Sequence, residues 1–170
     1  MMLIRRLLFM ALLCLPLSVA GAGVNVGEPA PDFSLPQLGE SDGQPMALAD
    51  LRGTVVYLDF WASWCGPCRL SFPQLELLRE ELGGRGFEVL AVNVDEFKPD
   101  ALLFMEQIPV SYPVVRDASG ETPAIYGVLG MPTGYLIDRQ GVVRQMHQGF
   151  RKGDGDKLRL EVVELLKIAP

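Results

Sequence analysis

Histidine and cysteine are scarce in this chain: one His and three Cys occur among 170 residues. Three cysteines are too few for a disulfide-stapled mini-scaffold, and a chain of this length does not need staples. Basic residues are also in deficit, 15 Lys and Arg against 21 Asp and Glu, for a net charge of −6. A phosphate-tracking surface needs the opposite balance, so nucleic-acid binding is not expected. The sequence shows no repeat, no low-complexity tract and no linker long enough to separate domains. What is present has globular composition, 49% apolar and 21% charged, enough for one core and too short for two comfortable ones.

The N-terminus reads differently from the rest. Arg5 and Arg6 precede an almost unbroken apolar run from Leu7 to Leu17, followed by small residues at Ser18, Ala20 and Ala22. That order is an export signal over residues 1–22, leaving a single domain over 23–170. The alternative is an uncleaved N-terminal membrane anchor. Spanning a bilayer takes about 20 apolar residues, and this run is short and interrupted by Pro16. Arg5-Arg6 lacks flanking residues that strengthen twin-arginine export, and Cys14 follows the bulky Leu13 where a lipidation site resembles small residues. Loss of the signal takes the charge from −6 to −8 and leaves two cysteines. The expected location is the periplasm or another extracytoplasmic space, where disulfides persist.

Downstream, strand and helix patterns alternate. The Pro-rich stretch Gly27 to Phe33 predicts an extended lead-in, Ser41-Asp42-Gly43 a turn, and Ala47 to Arg52 a short helical turn. Val55 to Phe60 and Val89 to Val94 are apolar on both faces, as strands covered on both sides by helices are. Pro67 to Leu82 predicts a helix with Leu70, Leu77, Leu78 and Leu82 on its apolar stripe, ended by Gly83-Gly84. A helix from Pro99 to Gln107, a short strand at Pro113 to Val115 and a helix from Glu121 to Tyr126 follow. Gly134–Ile137 and Val142–Met146 flank a hairpin turn at Asp138–Gly141. Asp156 to Ile168 closes the chain as an amphipathic helix carrying Leu158, Val162, Leu165 and Leu166. The predicted class is α/β, a mixed sheet with helices on both faces.

The chemistry sits at Trp64-Cys65-Gly66-Pro67-Cys68, where a buried strand feeds a helix. Residues three apart in a first helical turn bring their Cα atoms within the roughly 4.4–6.8 Å a disulfide requires. Cys65 then stands at the helix N-terminus, where free N–H groups and the macrodipole favour a thiolate. Cys68, a turn further, is expected to be more buried and less ready to ionise. Cys65 is therefore the nucleophile that attacks a substrate disulfide, and Cys68 the resolving thiol that frees the product. A structural disulfide here would close only a four-residue loop, worth about 2 kcal/mol at most. Zinc needs about four ligands, and beyond residue 22 the chain has two cysteines and a distant His147. A c-type haem site needs a histidine where Arg69 stands. Neither a metal nor an organic cofactor is expected; the redox group is the Cys65–Cys68 pair itself.

Asp59-Phe60-Trp61-Ala62-Ser63-Trp64-Cys65-Gly66-Pro67-Cys68-Arg69 resembles the active-site segment of thioredoxin. Pro73 resembles that family's helix-kinking proline, and Gly130-Met131-Pro132-Thr133 its cis-proline loop. The lead-in at Gly27 to Phe33, the turn at Gly43 and the segment from about Lys98 to Asp117 are similar to the exported TlpA/ResA-like thiol-disulfide oxidoreductases. The resemblance implies a thioredoxin fold with an extra N-terminal segment and a central helix–strand insert. It also implies a cis Met131–Pro132 bond that leaves the Met131 backbone open to a substrate strand; a trans proline opening a strand is the ordinary alternative. Trp64, Gly66, Pro67, Met131 and Pro132 are the substrate-binding candidates. Trp61 is either part of that apolar rim or core.

Three positions depart from the family pattern. Where many TlpA/ResA-like relatives have a glutamate, this chain has Ser71. Where they often have asparagine, it has thioredoxin's aspartate, Asp59, and thioredoxin's lysine partner falls at Ala91. Asp59 shares one face of a doubly covered strand with Val55 and Tyr57, and burial raises a carboxyl pKa. It is the candidate acceptor of the Cys68 proton; a locally solvated carboxylate is the alternative. His147 is read as a strand residue without a role, and Glu80, Glu81 and Lys152 as solvated faces.

These readings converge on an exported reductase of protein disulfides, expected to work as a monomer. The resemblance implies a membrane thiol-disulfide reductant as electron donor and places an apocytochrome c thiol pair among the substrates. A disulfide oxidase or isomerase is the nearest alternative, since Cys-x-x-Cys potentials range from about −270 to −120 mV. A peroxiredoxin-like peroxidase shares the Pro-Ala-Pro-Asp-Phe type of lead-in but sets its cysteine in different surroundings. A non-enzymatic binding module on a redox fold is the third.

Overall fold

The protein was analysed as a computed structural model, which describes residues 23–39 and 43–168. The export-signal reading, Cys14 and the Ser41-Asp42 part of the predicted turn lie outside the described residues. The strands are β1 (Ser34–Pro36), β2 (Pro45–Ala47), β3 (Val55–Trp61), β4 (Phe87–Asn93), β5 (Val114–Arg116), β6 (Thr133–Ile137) and β7 (Val143–Gln148). The helices are α1 (Cys68–Leu82), α2 (Lys98–Gln107), α3 (Glu121–Tyr126) and α4 (Asp154–Leu166).

β3 is the middle of a five-stranded sheet ordered β5-β4-β3-β6-β7. It runs parallel to β4 and antiparallel to β6, which makes the sheet mixed as expected. All seven residues of β3 are buried, the consequence of helices on both faces. On one face Val55, Tyr57 and Trp61 meet Phe72, Leu75 and Leu82 of α1, Phe104 of α2, and Leu158 and Val162 of α4. On the other, Val56, Leu58 and Phe60 pack with Leu48, Tyr126 and Tyr135. Each fully buried side chain of this size contributes about 1.5–3 kcal/mol relative to exposure.

The N-terminal segment does more than lead in. Its β1 pairs antiparallel with β2 in a small separate ribbon, and a 3-10 turn at Leu48–Leu51 follows. The segment from Lys98 to Asp117 forms α2 and β5, and β5 adds a parallel edge strand beside β4. Both additions are those implied by the family resemblance.

The α1 stripe needs correcting. Leu70 and Leu77 are 54% and 57% exposed, and the buried positions are Cys68, Ser71, Phe72, Leu75, Leu78 and Leu82. Leu70 and Leu77, seven apart, lie together on the outer face. The three- and four-residue steps that reach the sheet start instead from Cys68 and pass through Phe72 and Leu75. α4 begins at Asp154, two residues before the expected start, after Gly153 at φ 92°.

Candidate active site

β3 and β4 run parallel, so their C-terminal ends open onto the same edge of the sheet, where sites in α/β folds form. β3 ends at Trp61, whose carbonyl accepts a hydrogen bond from the Val94 amide at 3.0 Å. The chain then turns through Ala62–Pro67 into α1. Asp95, 2% exposed, holds this turn: its carboxylate accepts bonds from the Ser63 amide at 2.9 Å and the Ser63 hydroxyl at 2.9 Å. Asn93 Nδ2 donates to the same carboxylate at 2.6 Å. The Cys65 amide donates to the Ala62 carbonyl at 3.1 Å.

Cys65 and Cys68 are joined by a disulfide, with Cα atoms 5.3 Å apart. The helix proper begins at Cys68, and Cys65 occupies the turn that leads into it. The Cys68 amide donates to the Cys65 carbonyl at 3.2 Å and lies 3.2 Å from Cys65 Sγ. An amide aimed at that sulfur favours negative charge there. Cys68 is fully buried and Cys65 is 4% exposed, so the expected difference in burial is small. Access differs more in what surrounds them: Trp64, 71% exposed, and the exposed Gly66 and Pro67 flank Cys65.

Beneath the sulfurs lies an aromatic floor. Trp61 is fully buried, with its ring centroid 4.5 Å from Phe72 and 4.8 Å from Phe104. Trp61 is therefore core, and Trp64 alone of the two tryptophans is at the rim. Met131 is half-buried and packs against the cluster that contains both cysteines; the Met131–Pro132 bond is cis. The neighbouring Leu129 is 91% exposed.

Asp59 is 1% exposed on the face of β3 that Tyr57, Trp61, Cys68 and Phe72 share. Its Oδ2 has no hydrogen-bond partner. Burial alone pushes its carboxyl well above the usual carboxylate range. The strand register sets Ala91 directly opposite Asp59, so a methyl group stands where thioredoxin's lysine would be. The solvated alternative for Asp59 does not hold. Tyr112, on the insert, is also buried with an unpartnered hydroxyl, and burial, then the charge of Asp59, pushes its phenol up.

Two features escaped the sequence reading. Asp95 was legible as an Asn93-x-Asp95 pair directly after a buried strand. The other is a contact that spacing does not reveal: Tyr57 Oη lies 3.5 Å from His147 Nδ1, and His147 Nε2 lies 2.9 Å from Glu161 Oε2. Glu81, read as solvated, pairs at the surface with Arg159, its Oε2 2.8 Å from Arg159 Nε.

The redoxin family profile matches residues 25–161 of the chain. The thiol-disulfide oxidoreductase ResA of Geobacillus thermodenitrificans is 37% identical over 141 residues, covering 83% of this chain and 79% of its own. ResA of Bacillus subtilis is 35% identical over 126 residues, covering 74% of this chain and 69% of its own. A DsbE-like thiol:disulfide interchange protein from Chlorobium tepidum superposes with a TM-score of 0.80 at 46% identity, over 85% of this chain and 99% of that one. These matches run along nearly the whole described length, and the chain belongs to the redoxin family, among its TlpA/ResA-like thiol-disulfide oxidoreductases.

Proposed function

We propose that the protein reduces protein disulfides outside the cytoplasm, with residues 1–22 as an export signal and 23–170 as the working domain. The observation that carries the reading is the Cys65–Cys68 disulfide at the head of α1, with one sulfur beside exposed Trp64, Gly66 and Pro67 and the other sealed in the core. Cys65, as thiolate, attacks a substrate disulfide; a bond forms between the two sulfurs and the substrate's other sulfur leaves with the electron pair. Asp59 takes the proton of Cys68. The Cys68 sulfur then attacks Cys65, restoring the protein disulfide and releasing the second substrate thiolate. Trp64 and Met131–Pro132 offer the apolar surface and open backbone against which an extended substrate segment lies.

Two electrons pass to the substrate in each cycle, and a membrane thiol-disulfide reductant restores the dithiol. No metal or organic cofactor takes part in these steps. The Gly66-Pro67 dipeptide supports the reducing direction, and an apocytochrome c thiol pair is a fitting substrate. Among the described residues no helix is long and apolar enough to cross a membrane.

Replacing Cys68 by serine tests this. Cys68→Ser in the export compartment should accumulate proteins held on Cys65 by a reducible bond, and Cys65→Ser should accumulate none. Absence of adducts on Cys68→Ser would overturn the exchange mechanism. A potential near −120 mV instead of about −270 mV, measured against glutathione, would make the protein an oxidase.

A further inference from the structure

The buried pair Cys68 and Asp59 raises a question that the exchange mechanism leaves open: how protons reach water. Both residues are essentially inaccessible, and Asp59 must shed a proton before it can accept the next. Residues opposite one another in a sheet share a face. Ala91, Asp59, Gly134 and His147 form one such row across β4, β3, β6 and β7. Toward β4 and β5 the row runs through Ala91 to Val114, both buried and apolar. Toward β7 it ends at a half-exposed imidazole, the His147 side chain being 31% accessible.

Gly134 leaves a gap in that row, and Tyr57 fills it. A Cβ at Gly134 would lie 2.0 Å from Tyr57 Oη. The hydroxyl therefore stands directly over Gly134, the residue that the register sets opposite Asp59. On its far side the same hydroxyl faces His147 Nδ1 at 3.5 Å. Glu161 Oε2, from α4, lies 2.9 Å from His147 Nε2. With the proton on Nε2, the nitrogen beside that carboxylate, the Nδ1 lone pair faces Tyr57. The line ends in a cleft of about 260 Å³ between β7 and α4, lined by Tyr57, His147, Phe150, Lys157, Leu158 and Glu161.

We propose that Tyr57, His147 and Glu161 are the proton exit of the buried active site, linking Asp59 to water in the cleft between β7 and α4. The proposal rests on the reading of Asp59 as the Cys68 proton acceptor. A proton leaving the Asp59 carboxyl is taken up by the Tyr57 hydroxyl oxygen as that hydroxyl passes its own proton to His147 Nδ1. The imidazolium, beside Glu161, then releases its Nε2 proton to water, which leaves the Nδ1–H tautomer, and His147 regains Nε2–H by ring reorientation and exchange with water in the cleft before the next transfer. No electron moves in this step. Tyr57 serves as a neutral hydroxyl throughout: burial, then the charges of Asp59, Glu161 and Asp154, push its phenol well above the ordinary value.

The charged groups that face the line come from three elements. β3 contributes Asp59, and β7 contributes His147. α4 contributes Glu161, Asp154 and Lys157, the last two paired with each other at 3.0 Å. Tyr112, on the insert, is buried with no hydrogen-bond partner among the described residues, and the cleft of about 530 Å³ that it lines holds no other titratable side chain to pass a proton on. Tyr57, His147 and Glu161 are thus positioning residues for proton movement and touch no substrate.

The test is steady-state reduction of a chromogenic aromatic disulfide, with a small dithiol as electron donor and its direct reaction subtracted, in weak buffer, for wild type, Tyr57→Phe, His147→Gln and His147→Ala. Each variant should turn over about tenfold more slowly than wild type, within the range that a positioned proton carrier supplies. Added imidazole should restore His147→Ala and leave wild type unchanged, a response that lost packing cannot produce. Combining Asp59→Asn with His147→Gln should cost no more than Asp59→Asn alone, because the two act in series. Wild-type turnover by Tyr57→Phe and His147→Gln would overturn the exit while leaving Asp59 intact, provided Asp59→Asn is slow. So would a loss that neither imidazole nor buffer concentration alters. Full activity of Asp59→Asn would instead sink the acceptor role itself, and the exit with it.

Discussion

Asp59 carries a cost that only its chemistry explains. A carboxylate sealed in a sheet, with no cation beside it and one oxygen unpartnered among the described residues, is poorly solvated when charged. Its folded-state pKa is raised above the unfolded one by burial. The folded state consequently holds the proton more tightly, and stability falls as pH rises from the ordinary carboxylate range through the raised value. Below that range the penalty vanishes. Asn cannot ionise, so Asp59→Asn should gain on wild type progressively as pH climbs through this window. Urea midpoints of the two proteins measured across pH would show the gap opening; parallel curves would mean that burial does not raise the Asp59 carboxyl above its unfolded value. The same substitution should slow release of a mixed disulfide, so stability and activity are expected to move in opposite directions.

At the scale of elements, the row through β3, β6 and β7 depends on close packing at Gly134. A methyl group there would lie 2.0 Å from Tyr57 Oη and 2.3 Å from its Cζ, and the ring is confined between His147 and the strand. Gly134→Ala should therefore destabilise the protein by about 1–3 kcal/mol, the usual penalty for an overfilled core, read as a lower urea midpoint with unchanged slope. This contact also marks the limit of what the chain disclosed by itself. β3 and β4 were legible because doubly buried strands read as unbroken apolar runs, and the hairpin because Asp138–Gly141 reads as a turn between two strand-like runs. α3 was legible to the residue, at Glu121–Tyr126. The cysteine pair was legible because its spacing fits one helical turn. The β1–β2 ribbon was not, since three-residue strands carrying Pro36 and Pro45 show no alternation to read. The outward turn of Leu70 and Leu77 was missed because a Leu-rich helix offers more than one apolar stripe, and tertiary contact selects among them. His147 looked idle because its partners, Tyr57 and Glu161, are 90 and 14 positions away and meet it only through strand register and the docking of α4.

For the whole molecule, the disulfide and the fold must agree about direction. The folded chain and the redox couple form one cycle, so whichever redox form folds more stably is favoured at equilibrium. Closing a four-residue loop stabilises the oxidised form by about 2 kcal/mol in the chain-entropy account. Against it, the amide that Cys68 aims at Cys65 Sγ from 3.2 Å favours a thiolate in the reduced form, by about 0.3–1 kcal/mol for a helix start. The apolar floor of Trp61, Phe72 and Phe104 and the uncompensated Asp59 add nothing that welcomes further negative charge. The balance leaves the oxidised form ahead by roughly 1–2 kcal/mol. For a domain of this size that corresponds to a fall in Tm of about 2–8 °C on reduction. Thermal melts with and without a phosphine reductant measure it directly, and a Cys65→Ser, Cys68→Ser double variant should show no response. A higher Tm after reduction would mean that the fold prefers the dithiol, which is the property of an oxidant, and the reducing assignment would have to be reversed.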